Sequence, residues 1–195
     1  MKPVYVISGF MRSGTSMMMK ALEAGGMEAC YRQSRDEMKN RFADEHYDPN
    51  IGGLYELERK DYLKPDFPRG YEGKLIKALQ LGPGRMKVMP GGIKVVFMRR
   101  DAEEQRQSYD AFFGQDAYTA KGIEERVKDS LDAIYNRRDT TCLELWYANV
   151  IEHPRESMER VQTFFGADLD IDAAVSVVDP QYYRFRLDEL EVGIV

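Results

Sequence analysis

The apolar positions of the chain alternate between short continuous runs and stripes at helical spacing. Val4-Tyr5-Val6-Ile7-Ser8 is rich in β-branched and aromatic residues and predicts a buried strand. From Gly14 to Ala24 the period changes. Met17, Met18, Ala21 and Leu22 share one face of a predicted helix, and Gly25-Gly26 supplies its stop. Residues 31–50 are polar and charged with no sustained period, which predicts a long surface segment of the kind that serves as a lid or substrate loop. A short helix is expected within 54–63 and a strand over 74–79. The stretch 81–92, with two prolines and four glycines, is expected to be a loop.

Ile93 to Met98 is the second strong strand. Asp101-x-x-Glu104 is a capping-box pattern, so a helix is expected from there to about Phe113, stopping at Gly114. Ile123, Val127, Leu131 and Ile134 mark an amphipathic helix within 119–137, and Thr141 to Trp146 reads as a third strand. Pro154 opens a further helix with Met158, Val161, Phe164 and Phe165 inward and Gly166 as its stop. A short helix near 173–178 and an irregular, charged tail follow. Strands alternating with helices predict an α/β fold with a central, mostly parallel sheet covered on both faces. With no internal repeat, low-complexity tract or linker, residues 1–195 read as one domain of ordinary size.

Composition narrows the function. With 43% hydrophobic and 11% aromatic residues, the chain reads as soluble and globular. A net charge of -5 argues against a nucleic-acid partner, which needs a basic face, but leaves room for a small anionic ligand held by a few local cations. The two cysteines, Cys30 and Cys142, have no metal-ligand spacing and read as small apolar residues. With only His46 and His153 besides, no metal is expected. No run approaches the ~18 apolar residues of a membrane span. The expected location is therefore cytoplasmic, with no membrane partner. Oligomeric state leaves no signal in the sequence.

Two stretches carry the chemistry. Gly9-Phe10-Met11-Arg12-Ser13-Gly14-Thr15-Ser16 lies between a strand and a helix, where backbone N–H groups and a helix N-terminus can hold phosphate. Its G-x-x-x-x-G spacing matches an ATP-type phosphate loop. Yet Thr15-Ser16 stand where that pattern demands Lys and then Ser or Thr, and the positive charge sits earlier, at Arg12. The second stretch is Arg99-Arg100-Asp101 at the end of a core strand, with Ser108 eight residues after Arg100. Arginines beside a helix N-terminus make a second anion element. Two separated anion elements fit a nucleotide with both a 5′ and a 3′ phosphate better than ATP.

The loop with Arg12-Ser13-Gly14-Thr15 resembles the 5′-phosphosulfate loop of the sulfotransferases, and Val95 to Asp101 with Ser108 resembles their 3′-phosphate motif. Gly52-Gly53-Leu54-Tyr55-Glu56 is similar to the Gly-Tyr-Tyr-Glu segment of bacterial-type members, and Gly73-Lys74-Leu75-Ile76-Lys77 to a lysine-bearing strand. Leu145-Trp146-Tyr147 through Pro154, with Phe164-Phe165-Gly166, is similar to their late strand–loop–helix. The resemblance implies a three-layer, P-loop NTPase-like fold. It implies a sulfotransferase using 3′-phosphoadenosine 5′-phosphosulfate (PAPS) and no metal, acting on a small-molecule or carbohydrate acceptor. By it, Arg12, Ser13, Gly14, Thr15 and Ser16 hold the 5′-phosphosulfate, and Arg100 and Ser108 hold the 3′-phosphate. Arg12 serves the leaving group, Lys77 is a second positive group at the sulfuryl centre, and Glu56 is the first candidate for the base. His46 is a second candidate base on chemistry alone. Lys77 is followed by Ala78-Leu79, where many cytosolic members carry a catalytic histidine. Two other classes remain open at this point: an ATP-dependent small-molecule kinase and a non-catalytic nucleotide-binding protein.

Overall fold

Strand β1 (Val4–Gly9) is buried along its whole length, and its two faces feed different cores. Because side chains alternate along a strand, Tyr5 and Ile7 enter one apolar cluster while Val4 and Val6 enter another. The computed structural model describes residues 1–32, 53, 55–80, 82–113 and 117–187. After β1 come α1 (Thr15–Ala24), β2 (Ala29–Cys30), α2 (Arg59–Tyr62) and β3 (Leu75–Lys77). A 3₁₀ turn at Pro83–Arg85 leads to β4 (Ile93–Arg99), α3 (Ala102–Phe113), α4 (Ala120–Tyr135) and β5 (Thr140–Trp146). The described chain ends with α5 (Tyr147–Glu152), α6 (Pro154–Phe165), α7 (Ile171–Ser176) and a second 3₁₀ turn at Pro180–Tyr182.

The five strands form one parallel sheet in the order β2-β3-β1-β4-β5. One face packs on α1, α6 and α7 through residues such as Met18, Leu22, Met158, Val161 and Phe165. The other packs on α4 and on the segment around Phe67, Met86 and Met89. Phe97 on one face and Met98 on the other are both 0% exposed. Each contributes ~1.5–3 kcal/mol by burial. The architecture is thus three layers, helix–sheet–helix, with a central parallel sheet. β1 sits in the middle of the order, and the chain passes from β3 on one side of it to β4 on the other. Crevices at such reversals, at the carboxyl ends of strands, are where ligands bind in α/β sheets. The loops after β1 and β4 both open there.

The long, strongly patterned elements stand where the sequence predicts them. The strand expected over 74–79 is only three residues long, and the helix expected within 54–63 only four. β2 has no apolar run of its own and exists because Ala29 and Cys30 pair with Leu75 and Ile76. α5, also unanticipated, starts immediately at the end of β5. Most of the polar segment 31–50 lies outside the described residues. Among the described residues no helix is long and apolar enough to cross a membrane. Both cysteines are free, and burial pushes the Cys142 thiol up to about 12.

One buried carboxylate anchors the segment that carries Glu56. Asp61, with a side chain 0% exposed, accepts from Arg32 Nε at 3.3 Å, Lys64 Nζ at 2.9 Å and the Glu58 N–H at 3.3 Å. The Arg32 bond, and after it Lys64, hold its carboxyl at about 2, below the usual 3.8, against the opposing effect of burial. A carboxyl depressed in the folded state stabilises fully above its unfolded value, and that contribution is lost as pH falls through the folded value. Melting temperature should therefore drop between pH 3.8 and 2, and Asp61→Asn should lower stability at neutral pH while flattening this acid limb. An acid limb identical in the two proteins would contradict the assignment.

Candidate active site

The loop from Gly9 to Ser16 is bent by backbone geometry that the sequence permits at few residues. Gly9 has φ +150, and a Cβ there would stand 2.5 Å from Ser13 Oγ and 2.6 Å from the Met98 carbonyl oxygen. Gly14 has φ +92 and caps α1, and a Cβ there would stand 2.4 Å from the Tyr147 ring. Arg12 itself is left-handed at φ 68, a conformation held only where surroundings enforce it. Gln105 Nε2 donates to the Met11 carbonyl at 2.7 Å, and Arg100 Nη1 to the Arg12 carbonyl at 3.4 Å. The helix after β4 therefore braces the loop after β1.

The N-terminus of α1 is open. It has no side-chain cap and no acidic residue in its first turn. First-turn N–H groups have no intrahelical partner, and the helix dipole places positive potential there. Ser13 Oγ is buried and has no hydrogen-bond partner among the described residues. A buried, unsatisfied hydroxyl is costly unless something else bonds it. An open helix end and an orphaned hydroxyl beside it fit a bound anion.

Cations converge on this end from two directions. Arg12 lies over the Phe112 ring at 4.8 Å, and its Nε donates to Ser108 Oγ at 3.3 Å. Side chains 96 residues apart in sequence, one from the loop and one from the second element, thus meet in a direct hydrogen bond. From β3, Lys77 donates to Ser16 Oγ at 3.0 Å, and its Nζ stands 3.7 Å from Glu56 Oε1. The Lys77 side chain is only 4% exposed, so it is no solvated strand-end lysine. It delivers to the loop, from a neighbouring strand, the charge missing after Gly14.

The two adjacent arginines part company. Arg99 turns outward, to Glu144 at 3.0 Å and over the Trp146 ring at 4.6 Å. Arg100 turns inward and pairs with Glu104 at 3.1 Å, both side chains 6% exposed. Its guanidinium stacks on Tyr147 and Tyr183 at 5.1 and 5.4 Å. Unlike that of α1, the N-terminus of α3 is closed. Asp101 Oδ1 accepts from the N–H groups of Glu103 and Glu104. Glu104 does not reach back as a capping box requires but turns to Arg100. A cleft of about 360 Å3 opens beside Arg100, bounded by Arg99, Asp101, Ile123, Lys128 and Trp146.

The site therefore gathers Arg12, Ser13, Gly14, Thr15, Ser16, Glu56, Lys77, Arg100 and Ser108 at the carboxyl edge of the sheet. His46 lies outside the described residues. Sequence reasoning missed Tyr147, which lies against Gly14 and Arg100. Burial raises its phenol, keeping it a donor, to the Tyr182 carbonyl at 3.3 Å. Its place directly after a predicted core strand is the signal that could have found it. Glu104 was legible only as a helix cap.

No protein-family model and no curated protein matches the chain. Among solved structures, it is similar to a sulfotransferase of Mycobacterium tuberculosis, with a TM-score of 0.50 and 13% identity over 98% of this chain and 76% of that one. A sulfotransferase of Alicyclobacillus acidocaldarius gives 0.49 and 14%, over 98% and 99%. A sugar kinase of a Janibacter species gives 0.46 and 13%, over 92% and 99%. At such identities the likeness is one of fold. The chain has a P-loop-like α/β fold with a five-stranded parallel sheet.

Proposed function

We propose that the chain is a sulfotransferase that moves a sulfuryl group from PAPS to a hydroxyl or amine of a small-molecule or carbohydrate acceptor. The observation that carries this reading is the Arg12–Ser108 hydrogen bond, which makes one site of two anion elements. PAPS supplies the activated sulfuryl group and, in adenosine 3′,5′-bisphosphate, a stable leaving group. The loop amides, Ser13, Thr15 and Ser16 would hold the 5′ end, with Arg12 placed for the charge that develops on the leaving phosphate. Ser108 and Arg100 would hold the 3′-phosphate. Such transfer rests on positioning and electrostatics rather than on covalent chemistry by the protein.

Lys77 is fixed at Ser16 and adds a positive group at the reacting centre. Glu56, whose Oε1 stands 3.7 Å from the Lys77 ammonium, would take the proton of the acceptor. His46 is the alternative base. An ATP-dependent kinase reading draws on Lys77 alone, since it restores the charge an ATP loop carries. It leaves the Arg12–Ser108 junction without a role.

Transfer of label from radioactive PAPS to a panel of alcohols, sugars and amines tests the reading. Sulfated product is expected, and phosphorylated product from ATP with none from PAPS would overturn it. If Arg100 carries the 3′-phosphate, Arg100→Ala should weaken adenosine 3′,5′-bisphosphate binding by ~1.5–3 kcal/mol, the size of a hydrogen bond to a charged group. Calorimetry should show this loss with little change for adenosine 5′-monophosphate, and an equal loss for both would refute the assignment.

A further inference from the structure

The residues from the Pro180–Tyr182 turn to Leu187 form a strap anchored on the Arg100–Glu104 pair and on Tyr147. The Tyr182 carbonyl accepts from the Tyr147 hydroxyl at 3.3 Å. The Tyr183 hydroxyl donates to Glu104 Oε1 at 3.1 Å, and the Leu187 N–H donates to the same oxygen at 3.3 Å. Arg100 Nη2 donates to the Arg184 carbonyl. The Tyr183 ring packs against the Tyr147 ring at 4.9 Å. Between these anchors Phe185 is left-handed at φ 64, a conformation a bulky residue keeps only while neighbours hold it.

The bonding of Arg100 gives the strap a consequence. A guanidinium grips phosphate best through two adjacent N–H groups, along one edge of its fork. One edge runs from Nε to Nη2, and those nitrogens already serve Glu104 and the Arg184 carbonyl. The other runs from Nη1 to Nη2, which serve the Arg12 and Arg184 carbonyls. The Arg184 carbonyl thus stands on both edges. Glu104 is buried on the next helix, and Arg12 belongs to the loop itself. The strap carries its carbonyl on irregular backbone outside any helix or strand, packed on the core at its edge through the Tyr183 ring.

We infer that the strap competes with a second phosphate for Arg100: it is docked in the free protein, and a nucleotide with a 3′-phosphate displaces the Arg184 carbonyl and releases it. This rests on the reading that Arg100 takes the 3′-phosphate. A nucleotide with a 5′-phosphate alone leaves the strap in place. Binding and docking then oppose one another, and whatever loosens the strap tightens the bisphosphate.

Hydrogen exchange of residues 180–187 in the full chain tests this, read by mass spectrometry with adenosine 3′,5′-bisphosphate or adenosine 5′-monophosphate. The bisphosphate should speed exchange of the strap several-fold and the monophosphate should leave it unchanged. Tyr183→Phe keeps the ring and removes the bond to Glu104, so it should lower the bisphosphate Kd about threefold or more. Exchange slowed by the bisphosphate, or weaker binding by Tyr183→Phe, would overturn the inference while leaving the bisphosphate site intact. Absence of binding to either protein would remove the 3′-phosphate reading itself, and the competition with it.

Discussion

Arg12→Ala should lower the rate of sulfuryl transfer about 10²–10³-fold, the loss seen when one preorganised donor to developing charge is removed. The Arg12 side chain bridges the two anion elements through Nε to Ser108 Oγ, a contact between side chains of the loop and of the helix after β4. Its guanidinium is held over Phe112 at 4.8 Å, and its own backbone is fixed at φ 68 with its carbonyl bonded by Arg100. That fixation matters because a preorganised charge costs no reorganisation as the leaving phosphate becomes more negative. The loss should fall on kcat with the acceptor KM little changed, since the interaction strengthens in the transition state. Lysine at the same position keeps the charge but not the planar fork, and should recover part of the rate. Steady-state kinetics with PAPS checks both, and a rate for Arg12→Ala within twofold of the parent would exclude Arg12 from the leaving group.

Gly14→Ala should cost about 2–5 kcal/mol of stability. The left-handed backbone of an L-residue accounts for ~1–2 kcal/mol and overpacking for ~1–3 kcal/mol. Here φ is +92 and the new Cβ would lie 2.4 Å from Tyr147 Cδ2 and 2.8 Å from Cε2. Tyr147 cannot step aside cheaply, because its hydroxyl bonds the Tyr182 carbonyl and its ring supports Arg100. For a chain of this size the melting temperature should fall by about 4–20 °C. The loop should also lose its grip on anions, so ligand should no longer raise the melting temperature of the variant. A variant that melts with the parent and is still stabilised by ligand would show that this packing is not what shapes the loop.

The parts of the fold that could be read in the sequence are those where one period dominates. β1 and β4 are runs dominated by β-branched and other apolar residues, and α4 and α6 carry clear stripes. β2 escaped because a two-residue strand is made by its partner and not by its own pattern. Both anion elements were legible as local motifs, but their meeting was not. Arg12 and Ser108 touch only because β1 and β4 are neighbours and the loop turns left-handed at Arg12. The divergence of Arg99 and Arg100 was equally hidden, since it follows from strand alternation and from Glu104 leaving its expected capping role. The strand position of Lys77 does not say whether its ammonium meets solvent or the loop, and the fold turns it inward, buried and bonded to Ser16. Glu104 was legible only as a helix cap, Tyr147 only as part of a late strand–loop–helix and Tyr183 not at all, and tertiary packing brings all three around Arg100.

The proposed site takes two separate phosphates of one nucleotide at the edge of this sheet. Thermal melting of the full chain with adenosine 3′,5′-bisphosphate, and separately with ATP plus magnesium, tests it most directly. A ligand at about 100 times its Kd adds ~2.7 kcal/mol to folding stability. The bisphosphate should raise the melting temperature by several degrees and ATP with magnesium should raise it far less. Stabilisation by ATP with magnesium and none by the bisphosphate would rule out a site for two separate phosphates.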